Sequence, residues 1–356
     1  MSNTPTASRK IIFWVFIVAG MALPGFIVYK LFFEKPEELN SGLIKPVAAF
    51  REHKAQLWAI RFSPEDSIIA SASVDSTVQV WRKDSGTVLQ TLKHPVGVTS
   101  LDFSPHGKFI ATSSYDAIVR LWDWAANKTF FELKGHQGTV WSVAFSPDGR
   151  SIASSGEDKV IRLWEATTGK LIKTFSGHNR NIWKVRFSPD GNYLVSSSFD
   201  TDIKIWDIAQ GSLVKTLSNH TQAVVGLAIS PDGKFIASGS DDKTIKLWEF
   251  GTGRLIRTLR TEDAHVYTVA FSPDGKQLIT GSRDKDNLGE AFQNFLGDSD
   301  GNKGVSMRLW DVETGKLLQT MSEHYNDVMD VCFSHDGKWI ASASTDKIVR
   351  LWQVVK

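Results

Sequence analysis

A histidine, a hydroxyl and an aspartate recur together along this chain, and residues of these types could do chemistry. His136, Ser154 and Asp158 form one such set, and His178, Ser196 and Asp200 form another. A serine activated by a histidine that an aspartate orients is the arrangement of acyl-transfer hydrolases. Two features argue against that chemistry here. The set returns in copy after copy, whereas a catalytic centre needs one exposed nucleophile beside an oxyanion hole. The chain also lacks a G-x-S-x-G elbow and a phosphate-binding P-loop. The set therefore reads as a structural network. A carboxylate accepts, an imidazole donates from one nitrogen and accepts at the other, and a hydroxyl bridges. Trp164 and Trp206 each follow ten residues after the hydroxyl and add an indole donor.

The elements that position these residues follow from a repeat. Seven apolar anchors, Phe62, Phe103, Phe145, Phe187, Ile229, Phe271 and Phe333, precede a turn that begins with serine. Nineteen residues later stand Trp81, Trp122, Trp164, Trp206, Trp248 and Trp352; the sixth copy reaches Trp310 after 39 residues because it holds a 20-residue insertion. Such a period implies a repeat architecture. Each copy reads as four short strands. In the third copy VWSVAFS alternates apolar and polar residues, SPDG is a turn, and SIASSG, VIRLW and KLIKTFS follow as strands. Helical periodicity is absent from the repeats.

On these residues the chain resembles the WD-repeat β-propeller family, with seven copies over residues 45–356. Each copy opens on His53, His94, His136, His178, His220, Glu262 or His324. A hydroxyl (Ser71, Thr112, Ser154, Ser196, Ser238, Thr280, Ser342), then an aspartate (Asp75, Asp116, Asp158, Asp200, Asp242, Asp284, Asp346), then the tryptophan complete it. The resemblance implies an all-β, seven-bladed propeller, a hydrogen-bonded network in each blade, and a non-catalytic scaffold for protein–protein interaction. The Trp-Asp dipeptide itself is complete only at residues 122–123, 206–207 and 310–311, and Glu262 departs from the histidine pattern. Residues 45–50 precede His53 as KLIKTF precedes His178, so they are expected to supply the fourth strand of the last blade and close the ring.

Composition narrows the class. The 356 residues are 42% hydrophobic and 22% charged with a formal charge of +2, which excludes a largely disordered chain and gives no reason to expect a polyanionic partner. The basic residues two before tryptophan, such as Arg120 and Arg162, are spread one per blade, so no nucleic acid is expected. One cysteine, Cys332, cannot form an intramolecular disulfide or a thiolate zinc site. No cofactor and no metal is expected. The stretch GDSDGNKG in the insertion resembles a calcium loop only poorly, since Lys303 stands where glycine is needed.

Ahead of the repeats, residues 1–10 form a short basic tail, and residues 11–33 read as a transmembrane helix acting as a signal anchor. Residues 11–29 carry no charge, and about 19 residues at 1.5 Å each span about 28 Å. Residues 34–44 read as a linker of at most ~40 Å. The expectation is a single-pass membrane protein with the propeller on the non-cytoplasmic side. Cleavage of the segment and secretion of the propeller is the alternative.

Partner-binding candidates come from positions that vary between copies. Five residues past each opening position lie Trp58, Thr99, Trp141, Trp183, Val225, Tyr267 and Met329; just before each network aspartate lie Val74, Tyr115, Glu157, Phe199, Asp241, Arg283 and Thr345. Trp, Tyr and Arg dominate binding hot spots. Trp58, Tyr115, Trp141, Trp183, Phe199, Tyr267 and Arg283 are therefore candidates for a partner surface, or else rings packed near the central channel. The insertion, residues 286–305, lengthens a loop on that same face and adds Phe292 and Phe295 on one face of a short helix. An alternative function is a small-ligand-binding or catalytic propeller; carboxylates or histidines facing the channel would favour it.

Overall fold

Alternating apolar residues and Ser-Pro-Asp-Gly turns make antiparallel meanders of this chain. In blade three, Ser146 Oγ donates to Asp148 Oδ1 at 2.6 Å and accepts from the Ser151 amide at 2.9 Å, while Gly149 takes φ +71°. That combination of a proline-set φ, a side-chain bond and a left-handed residue reverses the chain within four residues. The computed structural model describes residues 41–261, 264–283 and 306–355. Among the described residues twenty-eight strands form seven four-stranded sheets, the blades. Among the described residues no helix is long and apolar enough to cross a membrane. The basic tail, the apolar segment 11–33, residues 34–40 of the linker and the insertion 286–305 lie outside the described residues.

The innermost strands are Leu57–Phe62, Val98–Phe103, Val140–Phe145, Ile182–Phe187, Val224–Ile229, His265–Phe271 and Val328–Phe333. Each touches the innermost strand of the next blade, and the last touches the first, so the sheets stand around a closed ring. The core lies between blades. Ala111, Val119, Leu121 and Leu133 of blade two pack with Val140, Val143, Phe145, Ile152 and Trp164 of blade three. One blade cannot bury both its faces alone, so neighbours are required.

The ring is closed by the strand Ile44–Phe50, which pairs antiparallel with Val349–Val354 and completes the seventh sheet. At the same seam the Asp66 carboxylate of blade one accepts from the amides of His335 and Asp336 of blade seven, both at 2.8 Å. Gln319, in the outer strand of blade six, holds the entering strand: its Nε2 donates to the Ile44 carbonyl at 2.7 Å, and its Oε1 accepts from the Ile44 amide at 2.9 Å. In blades three, four and five the same position is Lys173, Lys215 or Arg257, each donating to turn carbonyls of the next blade.

Every innermost strand carries a β-bulge at the same place. The register shifts at Trp58, Thr99, Trp141, Trp183, Val225, Tyr267 and Met329. A bulge bends the strand and re-aims its side chain. One of the two variable positions of the repeat is thus the re-aimed one.

Candidate functional site: the two ends of the channel

The blade networks come first, because they fix the loops around the site. In blade three Trp164 Nε1 donates to Ser154 Oγ at 2.8 Å, Ser154 Oγ lies 2.7 Å from His136 Nε2, and His136 Nδ1 lies 3.0 Å from Asp158. A carboxylate only accepts, so Nδ1 carries the proton, Nε2 accepts from serine, and serine accepts from the indole. Blade four repeats this with Trp206, Ser196, His178 and Asp200 at 2.8 Å throughout. Ser154 and Ser196 are fully buried, and an indole N–H fills the side of the hydroxyl that a substrate would need. Each serine is thus buried and bonded on two sides.

Blade two departs from the pattern. His94 Nε2 still reaches Thr112 Oγ1 at 2.9 Å, but Asp116 turns to Arg120, whose Nη2 donates at 2.7 Å. In blades one, three, four and five the aspartate also accepts from the amide after the histidine, as Asn179 does to Asp200 at 2.8 Å. In blade two that residue is Pro95, which has no amide hydrogen. Asp116 lacks this donor and the histidine bond and pairs with Arg120; Asp158 of blade three pairs with Arg162 as well, but keeps His136 and the Gln137 amide. The four-part network is thus complete in blades three and four and lacks its His–Asp bond in blade two. In blade six, His265 Nδ1 lies 3.3 Å from Asp241 of the preceding blade.

One end of the channel, on the side of the network loops, is aromatic. Trp141 and Trp183 stack at 4.4 Å with their planes 22° apart, and Trp58 meets both edge-on at 6.0 Å. Tyr115 meets Trp141 at 5.8 Å and 90°, and Phe199 lies 5.2 Å from Trp183. All five rings are half-buried. Gly97 makes the room: a Cβ there would meet the Tyr115 ring at 2.8 Å. Burial raises the Tyr115 pKa, with Trp58 opposing. The Trp141 Nε1 atom is buried without a partner among the described residues, a defect of about 1–3 kcal/mol. Of the sequence candidates, Trp58, Tyr115, Trp141, Trp183 and Phe199 thus come together. Tyr267 lies 6.4 Å from His265. Arg283 ends its strand, and Phe292 and Phe295 lie outside the described residues. Phe199 also lines a groove of about 740 Å³ with Lys159, Arg180, Asn181, Gln222 and Asp241.

Below the rings the channel is charged, and these residues were missed by sequence reasoning. Asp330 Oδ2 lies 2.5 Å from Arg61 Nη1 and accepts from the Ile60 amide at 3.1 Å; its Oδ1 accepts from Thr268 at 3.1 Å and lies 3.9 Å from Lys184 Nζ. Burial disfavours the Asp330 charge, yet Arg61 and Lys184 hold its pKa low. Burial drives Lys184 down to about 8, against the pull of Asp330. Asp102, which accepts from the Phe145 amide at 2.8 Å, is raised by burial. Burial, with Arg61 nearby, lowers Arg186 to about 10, and burial pushes the Cys332 thiol up to about 12. The available signal was positional. Three residues before the anchor five copies carry Ala, Gly, Ser or Thr, where Lys184 and Asp330 stand; one residue before it three copies carry Ala, where Arg61, Asp102 and Arg186 stand.

Comparison with known proteins follows from this geometry. The family profile described as "WD domain, G-beta repeat" matches residues 44–82, 86–123, 127–165, 169–207, 211–249, 253–286 and 315–353, most of the chain. The chain is similar to nuclear distribution protein PAC1-2 of Uncinocarpus reesii, 42% identical over 62 residues, which is 16% of this chain and 14% of that protein. It is similar to the Notchless protein homolog of Arabidopsis thaliana, 42% identical over 69 residues, 18% of this chain and 15% of that one. It is also similar to WD repeat and SOCS box-containing protein 1 of Xenopus tropicalis, 45% identical over 49 residues, 14% and 12% of the two chains. The chain spans only a small part of the length of each relative.

Proposed function

Since the chain belongs to the WD-repeat family, we propose that it is a membrane-anchored platform docking protein partners on the aromatic end of its channel. Family members of this kind are typically protein-interaction scaffolds without catalysis. The observation that carries the reading is the stack of Trp58, Trp141 and Trp183, each on a bulge. Half-buried aromatic side chains of this size are the usual anchors of protein interfaces. A core assembled for stability alone would not keep the Trp141 N–H unpaired. Beside the stack, the groove holds amides and both signs of charge, which suit peptide backbone and polar side chains. In sequence, the insertion 286–305 with Phe292 and Phe295 follows the blade-six strand that ends at Arg283.

The anchor rests on residues 11–33, an apolar stretch of bilayer length flanked by Trp14 and Tyr29. Arg9 and Lys10 precede it, and we place the propeller on the non-cytoplasmic side. Protease treatment of sealed membranes tests this placement. Protection of residues 45–356, with a mature mass that retains residues 1–33, supports it; digestion, or loss of the leading segment, refutes it. For the docking face, the Trp141→Ala/Trp183→Ala double variant is expected to fold and to lose its partner. A folded double variant that binds normally would refute that face.

A further inference from the structure

At the opposite end of the channel from the tryptophans lies a cavity of about 290 Å³. Arg61, Arg186, Asp330 and Cys332 line it, with Pro189 and Pro231 of the Ser-Pro turns at its rim. Its walls come from the innermost strands of blades one, four, five, six and seven, so it lies on the ring axis.

The charges in this part of the channel do not balance. Arg61, Lys184 and Arg186 supply three cations, against the carboxylates of Asp102 and Asp330. Asp330 is already engaged by Arg61, Thr268 and the Ile60 amide, and Asp102 by the Phe145 amide. Arg186 donates only from Nη1, to the carbonyl of its own neighbour Val185 at 2.9 Å. Its Nε and Nη2 have no hydrogen-bond partner among the described residues, and the side chain lines the cavity. A guanidinium fork matches the two oxygens of a carboxylate or a phosphate. A desolvated cation with free donors favours such a guest, because the guest supplies the missing counter-charge.

We propose that this cavity is a binding site for a small oxyanion, held by the free edge of Arg186 and by the nearby Arg61. The site is separate from the aromatic face and does not depend on the docking role. An anion seated there would neutralise the excess charge between blades one, four and seven and so brace the ring from inside.

The test is calorimetric titration of the full chain with inorganic phosphate and, in a parallel arm, with acetate, against chloride at equal ionic strength. At least one oxyanion is expected to bind and to raise Tm, and a response to one alone assigns the guest's geometry. Arg186→Gln is expected to weaken that binding at least tenfold. Ala228→Asp, which lines the same cavity from blade five, leaves Arg186 in place but supplies an internal carboxylate. It is expected to abolish binding while keeping or raising the anion-free Tm. Should Arg186→Gln fail to fold, the Ala228→Asp result decides. No binding of either oxyanion above chloride, or undiminished binding in a folded variant, overturns the proposal.

Discussion

Gln319 grips Ile44 by both ends of its amide, at 2.7 and 2.9 Å, and so fastens the first described strand to the ring. A glutamine can donate and accept at once, which Lys173, Lys215 and Arg257 at the same position in other blades cannot. Their targets are carbonyls alone; the Ile44 strand presents an amide and a carbonyl together. Gln319→Ala is therefore expected to cost about 1–3 kcal/mol, the scale for leaving buried groups unpaired. Gln319→Lys should not rescue it, since lysine cannot accept from the Ile44 amide. Urea midpoints of the two variants check this, and a wild-type midpoint for Gln319→Lys would count against the two-ended grip.

Acid should loosen the propeller in two stages. Burial lowers the pKa of His94 to about 4 and also lowers those of His136, His220 and His324. A histidine in the unfolded chain takes up its proton near pH 6.5. Between about 6.5 and 4 the unfolded chain thus binds more protons than the folded one, and stability falls with falling pH. Below that, the carboxylates act. Asp200 is held at about 2, since its hydrogen bonds from His178 and the Asn179 amide outweigh burial. Its contribution is complete above about pH 4 and is lost as pH falls through 2. Urea midpoints measured from pH 7 to 3 should decline steadily, and His94→Gln should flatten the upper part of the decline. A midpoint constant between pH 6.5 and 4 would contradict the assignment.

Blade two should respond to mutation differently from its neighbours. Asp116 keeps Ser114 and the Ile118 amide, so Arg120→Met is expected to cost about 1–3 kcal/mol by removing the guanidinium from a partly buried carboxylate. Pro95→Ala restores the amide that Asp116 lacks. In that background the loss from Arg120→Met should shrink, giving a coupling of at least ~0.5 kcal/mol in a double-mutant cycle. Additive losses would show that Pro95 does not explain the turned aspartate.

The ring, its four-part networks and a closing strand at residues 45–50 could be read from sequence because each is a position-specific repetition, and repetition exposes spacing directly. Pro95 was equally visible. Its effect on Asp116 was not, because it acts through a hydrogen missing from the backbone and not through a side chain. The charged channel was hidden for a geometric reason. Alternation assigns faces by counting, and a bulge between Leu57 and Ala59, or between Ile182 and Lys184, shifts the count by one. Trp58 and Trp183 stood out by residue type, but which of their neighbours face the axis follows only from the bulged register.

The docking face is the central claim, and site-specific photo-crosslinking tests it most directly. A photoreactive residue is placed at Asn181, on the groove that Phe199 shares with the tryptophan stack, and in a second variant at Asp232, in an exposed Ser-Pro-Asp-Gly turn at the other end of the blade. Both full-length variants are irradiated in intact cells and their protein adducts compared by mass. The account predicts discrete adducts at Asn181 and none at Asp232; adducts at Asp232 alone, or equally at both positions, would contradict it.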